Sequence, residues 1–153
     1  MMKHPGRTIK RRQHSSALLS KKTIQKFITI KTGFRETVVI NKQFLPNTRY
    51  QEMGLGTLIR DPSDTMESNC PFHPNCFEGL ASGTAIEIGY YTKAINLPAD
   101  HPAWEKKANY IAQGVYQMML AQSHDRIIIG EGVMKQTQLL PKIKQNIKAL
   151  LNG

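Results

Sequence analysis

Three side chains that bind soft metal ions lie close together in the middle of the chain. Cys70 and Cys76 are its two cysteines, and His73 lies between them. Two thiolates and one imidazole at this spacing are typical of a zinc site, and a tetrahedral zinc ion needs a fourth donor. The sequence therefore predicts a metal site with three ligands, whose shell water or a nearby carboxylate such as Asp61 or Asp64 could complete.

The length and composition predict one cytoplasmic domain. A chain of 153 residues is long enough to bury a hydrophobic core. Its apolar runs are far shorter than the ~20 residues of a membrane span, and its N-terminus lacks the apolar segment of a signal peptide. Cytosolic cysteines stay reduced, so close cysteines with a histidine indicate metal ligands rather than a disulfide.

The formal net charge of +10 belongs mainly to the N-terminal part of the chain. Residues 1–31 carry nine of the 21 basic side chains and none of the 11 acidic ones, and the rest is close to neutral. We therefore expect residues 1–24 to be a basic, solvated and poorly ordered leader; the alternative is a leader that binds polyanions weakly. This distribution argues against a nucleic-acid-binding face. A mitochondrial presequence would also be basic, but these residues show no sustained helical stripe.

The hydrophobic pattern predicts strands first and helices later. Residues 26–30 alternate between apolar and polar side chains, and residues 37–40 are β-branched and apolar. Asn41-Lys42 suits a tight turn. Two or three antiparallel strands are therefore expected. Helical spacing of apolar residues predicts three helices, over residues 77–93, 104–119 and 139–151. Asp100 is expected to cap the second helix. A β-branched strand over 126–129 ends at a glycine turn, and the order of elements predicts an α/β domain.

Several stretches of the chain resemble one family. The run from Cys70 to Gly83 is similar to the zinc motif of the ROK family (repressors, open reading frames and sugar kinases), in its bacterial fructokinase branch. Residues 29–33 and 39–45 resemble the family's phosphate-loop hairpin, and Glu52-Met53-Gly54 resembles its Glu-x-Gly-His motif. Residues 99–105 and 127–134 match further fructokinase stretches. The resemblance covers about residues 25–151.

This resemblance implies a fold and an activity. ROK kinases are made of two actin-like (ribonuclease H-like) α/β lobes, and residues 25–153 would form an incomplete C-terminal lobe. Fructokinases of the family transfer the γ-phosphoryl group of Mg·ATP to the 6-hydroxyl of fructose. The implied partners are therefore fructose or a related hexose, and a homodimer or a companion N-terminal lobe.

The resemblance also implies roles for individual residues. Zinc would be bound by Cys70, His73 and Cys76. Glu52 would accept hydrogen bonds from sugar hydroxyls, unless it is an ordinary exposed carboxylate. Thr32 and Gly33 would face the nucleotide phosphates, unless they form an ordinary turn. The nucleotide pocket would be lined by Gly130, Glu131 and Gly132. Glycine has no side chain there, so the backbone can approach the nucleotide closely.

The chain departs from the family pattern at several of these positions. Leu55 stands where the family has its fourth zinc ligand, a histidine. Lys31, Arg35 and Glu36 add bulk and an anion to the phosphate loop, and Glu131 interrupts the usual Gly-Gly-Gly. We therefore expect weak, substoichiometric zinc and a poorly formed phosphate loop.

The family's catalytic aspartate and first phosphate motif belong to its N-terminal lobe and have no counterpart here, since residues 1–35 contain no carboxylate. Phosphoryl transfer depends on positioning and charge stabilisation, so the chain alone is expected to be inactive or very weak. The alternative is a non-catalytic truncated remnant or zinc-binding interaction domain. A ROK transcriptional regulator would need a winged-helix domain, for which residues 1–30 are too short.

Overall fold

The computed structural model describes residues 23–45 and 52–152. Almost all of the expected basic leader lies outside this range. Within it, no helix combines the length and the apolar character needed to cross a membrane.

A four-stranded mixed sheet forms one layer of the fold. Its strands are β1 (Ile24–Ile30), β2 (Phe34–Ile40), β3 (Gln43–Phe44) and β4 (Arg126–Gly130). The spatial order is β3-β2-β1-β4, with antiparallel pairs except for β4, which runs parallel to β1. Asn41 and Lys42 both have positive φ, as a two-residue hairpin turn requires. The predicted antiparallel strands and turn are confirmed.

In the described part of the chain, four helices cover the sheet and each other: α1 (Phe77–Ala81), α2 (Gly83–Tyr90), α3 (Ala103–Ala121) and α4 (Leu139–Asn152). Two short 3₁₀ turns span Met53–Leu55 and Gly132–Lys135. The predicted third helix and the strand at 126–129 are confirmed. The buried stripe predicted on the long helix is also confirmed, because its apolar side chains lie in the core: Trp104, Ala108, Ile111, Val115 and Met118.

Two details of the predicted helices are wrong. The expected helix over 77–93 is interrupted at Ser82, whose backbone is extended and whose hydroxyl accepts a hydrogen bond from the Ala85 N–H. Asp100 does not cap α3. The helix begins after Pro102, and the Nδ1 atom of His101 accepts the Ala103 N–H at 3.1 Å.

A buried ion pair ties β1 to β2. The Lys26 Nζ lies 2.7 Å from the Glu36 Oε2, and both side chains are almost fully buried. The Glu36 carboxylate is therefore directed to Lys26 and not to the loop between the strands. The expectation that Glu36 places an anion in this loop is wrong, because alternation along β2 puts its side chain beside Lys26.

A second buried cation lies on α3. Lys107 is fully buried, and its Nζ donates to the Leu80 carbonyl at 2.8 Å. The Nζ also lies 5.5 Å and 5.4 Å from the ring centroids of Tyr90 and Tyr110. Burial lowers the pKa of Lys107 to about 8, although the nearby Asp64 partly opposes the shift.

This lysine makes stability depend on pH. Between pH 8 and 10 the folded Lys107 loses its proton, whereas the unfolded chain keeps it until its ordinary pKa of 10.5. The free energy of unfolding of the wild type should therefore rise with pH, relative to Lys107→Met, by about 2 kcal/mol over this window. Urea unfolding at pH 8, 9 and 10 measures it.

A lysine on another helix is the matched control. Lys148 is exposed on α4 and is not among the groups that shift the pKa of Lys107, so Lys148→Met should follow the pH dependence of the wild type. If the free energies of unfolding of the wild type and Lys107→Met changed in parallel between pH 8 and 10, Lys107 would keep its proton in the folded state over this range.

Candidate functional site

The predicted metal ligands lie in the loop that leads into α1. One possible ligand atom from each of Cys70, His73 and Cys76 lies within 4.8 Å of the others. The Cys70 Sγ is 3.5 Å from the His73 Nδ1. Tetrahedral zinc holds sulfur and nitrogen ligands about 3.5–3.8 Å apart, so the three residues fit a zinc ion after a small contraction of the loop.

Hydrogen bonds hold this loop in place. The Ser68 hydroxyl donates to the His73 carbonyl at 2.9 Å and accepts the Cys70 N–H at 3.2 Å. Cys76 begins α1, and its Sγ accepts the Gly79 N–H at 3.2 Å. The loop and the helix start are thus organised by the protein's own contacts.

The two thiols have different electrostatic environments. A backbone hydrogen bond from Phe72 lowers the pKa of Cys70 to about 7. Burial raises the pKa of Cys76, which is fully buried. Thiolates bind zinc, so Cys70 is the sulfur more readily available near neutral pH.

The structure does not supply the expected carboxylate as a fourth ligand. The Tyr110 hydroxyl donates to Asp64 at 2.7 Å, and the Ser63 hydroxyl and N–H both donate to Asp61. Within residues 23–45 and 52–152, neither carboxylate joins the three-ligand cluster. The suggestion that Asp61 or Asp64 completes the zinc shell is therefore wrong.

Leu55 ends the 3₁₀ turn that packs against α1. It is partly exposed and has no donor atom. Glu52 precedes the same turn, and its side chain is exposed and makes no capping hydrogen bond. Glu52 is thus an exposed carboxylate beside the 3₁₀ turn that contacts α1.

The predicted nucleotide residues come together at the end of β1, although 100 residues separate them in the sequence. Thr32 lines a cavity of about 340 Å³ with Gly83, Thr84 and Gly132. It also lines a second cavity, of about 400 Å³, with other residues that include Gly33 and Glu131. We call the two adjoining cavities the cleft. Gly130 is the last residue of β4, beside Thr29 in the sheet.

The cleft depends on close backbone contacts. The Gly83 N–H donates to the Lys31 carbonyl at 2.5 Å, and a Cβ on Gly83 would lie 2.6 Å from that oxygen. Gly132 has a φ of +42°, and its Cβ would lie 2.2 Å from the Ile30 carbonyl oxygen. Both positions therefore require glycine.

Two residues that depart from the family pattern contact each other here. The Lys31 Nζ lies 2.5 Å from the Glu131 Oε2. Arg35 lines the cavity of about 400 Å³. Lys31 and Arg35 therefore lie at this cleft as expected, but Lys31 is paired with Glu131, which stands where the family pattern has glycine.

Glu78 is a linking residue that the sequence reasoning missed. Glu78 is the second residue of α1, the helix that Cys76 caps, and its Oε2 accepts the Phe34 N–H at 2.9 Å. A Cβ on Gly33 would lie 2.9 Å from the same oxygen. Its place as an acidic residue in the first turn of α1, just after the cysteine motif, is the signal that could have identified it.

The fold defines the class of protein. The chain superposes on the ROK hexokinase of Thermus thermophilus with a TM-score of 0.67 and 20% identity, covering 87% of this chain and 49% of that one. It superposes on a ROK family glucokinase of Streptomyces griseus, in complex with glucose and AMPPNP, with a TM-score of 0.61 and 18% identity. That match covers 88% of this chain and 53% of the other. The expected actin-like α/β fold of ROK kinases is confirmed.

The sequence comparison is more specific. The family profile described as ROK family matches residues 19–153, so the chain belongs to the ROK family. It is 37% identical to a fructokinase of Pediococcus pentosaceus over 127 residues, which are 83% of this chain and 44% of that protein. The chain spans less than half the length of the curated relatives it matches.

The metal cluster generates a direct prediction. Titration of the reduced chain with Co²⁺ should produce thiolate-to-cobalt absorption, and Cys70→Ser or Cys76→Ser should weaken binding at least tenfold because each removes a sulfur ligand. Leu55→His should tighten zinc about tenfold or more by adding a fourth donor.

His101 provides the control, since it lies outside the cluster, next to the Tyr90 ring. His101→Ala should bind cobalt like the wild type. Stoichiometric tight zinc in the wild type, unaffected by Leu55→His, would contradict the three-ligand description.

Proposed function

We propose that this chain is the nucleotide-facing C-terminal part of an ATP-dependent hexose kinase that converts fructose to fructose 6-phosphate. One observation carries the proposal. Thr32, Gly33, Glu131 and Gly132, all expected from the family pattern to face the nucleotide, surround one cleft at the end of β1. The fructokinase relatives supply the substrate class, and Glu52 is the proposed sugar-contacting carboxylate.

The charges of the cleft suit a polyphosphate. Lys31, Lys93 and Lys135 line the cavity of about 340 Å³, and Glu87 is the acidic residue among its lining side chains. Arg35 adds a further positive charge on the adjoining side. Fixed cations stabilise phosphate charge during phosphoryl transfer. We infer that Mg·ATP lies with its phosphates between Thr32 and these side chains.

The chemical step needs a base, and neither of the carboxylates that line the cleft, Glu87 and Glu131, corresponds to the family's catalytic aspartate. A sugar hydroxyl must lose its proton as it attacks the γ-phosphorus, and a positioned carboxylate is the usual base. In this proposal the base comes from a companion N-terminal lobe, and residues 23–45 and 52–152 supply phosphate binding and sugar contacts. On its own, the chain then has no kinase activity or very little. The proposed location is the cytoplasm.

Zinc has a positioning role in this proposal. Cys70, His73 and Cys76 would hold the ion, with water as the fourth donor on the exposed His73 side. The ion would fix the loop against α1, and α1 carries Glu78, which binds the start of β2. Zinc would thus stabilise the hairpin that forms one wall of the cleft.

A second function is favoured by a specific observation. The metal cluster is well organised, whereas the cleft is crossed by an ion pair between Lys31 and Glu131. A non-catalytic domain that binds zinc and a partner subunit would keep the metal cluster and would tolerate the ion pair in the cleft. Nucleotide binding distinguishes the two functions, since only the kinase requires it.

The experiment combines binding and turnover on the full chain. Calorimetry should detect Mg·AMPPNP binding, and Lys93→Met should weaken it about three- to tenfold because it removes a cation from the cavity. Coupled measurement of ADP release with fructose should give no turnover by the chain alone. Turnover should appear on addition of a separately expressed ROK N-terminal lobe containing the catalytic aspartate.

Lys142→Met is the matched control, because Lys142 pairs with Glu105 at the surface, away from the lining residues of the cleft. It should leave nucleotide binding unchanged. Turnover by the chain alone would contradict the need for an external base, and the absence of nucleotide binding would favour the zinc-binding domain.

A further inference from the structure

Glu131 adopts a backbone conformation that side chains disfavour. Its φ is 64° and its ψ is 175°, in a region populated mainly by glycine. The next residue, Gly132, also has a positive φ and packs closely against the Ile30 carbonyl. A glycine at position 131 would relieve this strain, so the glutamate side chain is present despite a conformational cost.

The partner of this side chain is at the centre of the cleft. Lys31 lines both cavities, and Glu131 lines the cavity of about 400 Å³. The side chains of Lys31 and Glu131 are 62% and 54% exposed. An exposed ion pair stabilises a fold only slightly. The pair is therefore easily exchanged for another partner, and it lies where a ligand that spans both cavities would pass.

The balance of charge makes such an exchange favourable for a polyanion. Lys31, Lys93, Lys135 and Arg35 line the two cavities, against Glu87 and Glu131. Within this set the carboxylate of Glu131 neutralises Lys31, and it therefore competes with a phosphate for this cation. A ligand with several phosphate charges can replace that carboxylate on Lys31, whereas a single phosphate gains less from doing so.

We propose that Lys31 and Glu131 form a charge latch over the cleft. Lys31 is a ligand for the terminal phosphates of a polyphosphate, and Glu131 is an internal anion that releases Lys31 when those phosphates bind. The latch discriminates triphosphates from monophosphates. This inference rests on the proposed function, in that the cleft must bind a polyphosphate.

Calorimetric titration of the full chain with tripolyphosphate, ATP and AMP tests the latch. Glu131→Gln removes the competing charge and keeps the side-chain size, so it should tighten tripolyphosphate and ATP about three- to tenfold. AMP should change less than twofold. Lys31→Met should weaken tripolyphosphate and ATP about tenfold, and adding Glu131→Gln to it should change binding less than twofold.

Two further variants separate the latch from general charge and from strain. Glu87→Gln removes a charge from the same cleft without touching the Lys31–Glu131 pair, and it should tighten tripolyphosphate less than twofold. Glu131→Gly removes both the charge and the backbone strain, and it should bind at least as tightly as Glu131→Gln. Far-UV circular dichroism and urea unfolding check that each variant is folded.

The outcomes distinguish the latch from the proposed function. Tightening by Glu131→Gln that disappears in the Lys31→Met background supports the latch. Equal tightening by Glu87→Gln, or wild-type affinity of Glu131→Gln with measurable tripolyphosphate binding, overturns the latch and leaves the nucleotide site standing. Failure of every variant to bind tripolyphosphate and ATP overturns the nucleotide function, and the latch with it.

Discussion

The structure depends on the close approach of three backbone segments at the end of β1. The Gly83 N–H donates to the Lys31 carbonyl, and Gly132 packs against the carbonyl of Ile30. Neither contact leaves room for a Cβ atom. This requirement explains why the chain bends at Ser82 instead of continuing one helix, and why the turn after β4 has positive φ. The cleft is a consequence of that packing, because its walls are the three segments themselves.

Glu78 joins this region to the metal-binding loop. Cys76 begins α1, and two residues later the Glu78 carboxylate accepts the Phe34 N–H at the start of β2. The cysteine loop, the short helix and the hairpin therefore form one connected unit. A metal ion at the cysteines would act on the cleft through this helix and one charge-assisted hydrogen bond, which is stronger than a neutral one, and would not need to contact a ligand there.

Local sequence patterns predicted the helices and strands well, but they did not predict the contacts between them. Alternation in β1, the turn at Asn41-Lys42 and the apolar stripe of α3 are properties of neighbouring residues, so the sequence contains them. The break at Ser82 and the burial of Glu36 beside Lys26 arise from other segments. Periodicity carries no information about them. The cleft residues were predicted from a family resemblance, and the structure adds their proximity, which no spacing within one segment could show.

The charged departures in the cleft have a different meaning once they are seen together. As separate positions, Lys31 and Glu131 are two losses of glycine from loops that approach phosphate. In the structure they have opposite charges and lie 2.5 Å apart. Each charge therefore offsets the effect of the other on the cleft, and neither can be interpreted alone. A substitution at one position should therefore change the free-energy effect of a substitution at the other, as expected of residues in contact. In the proposed nucleotide site, Lys31 and Glu131 would therefore act as one paired change and not as two separate losses of glycine.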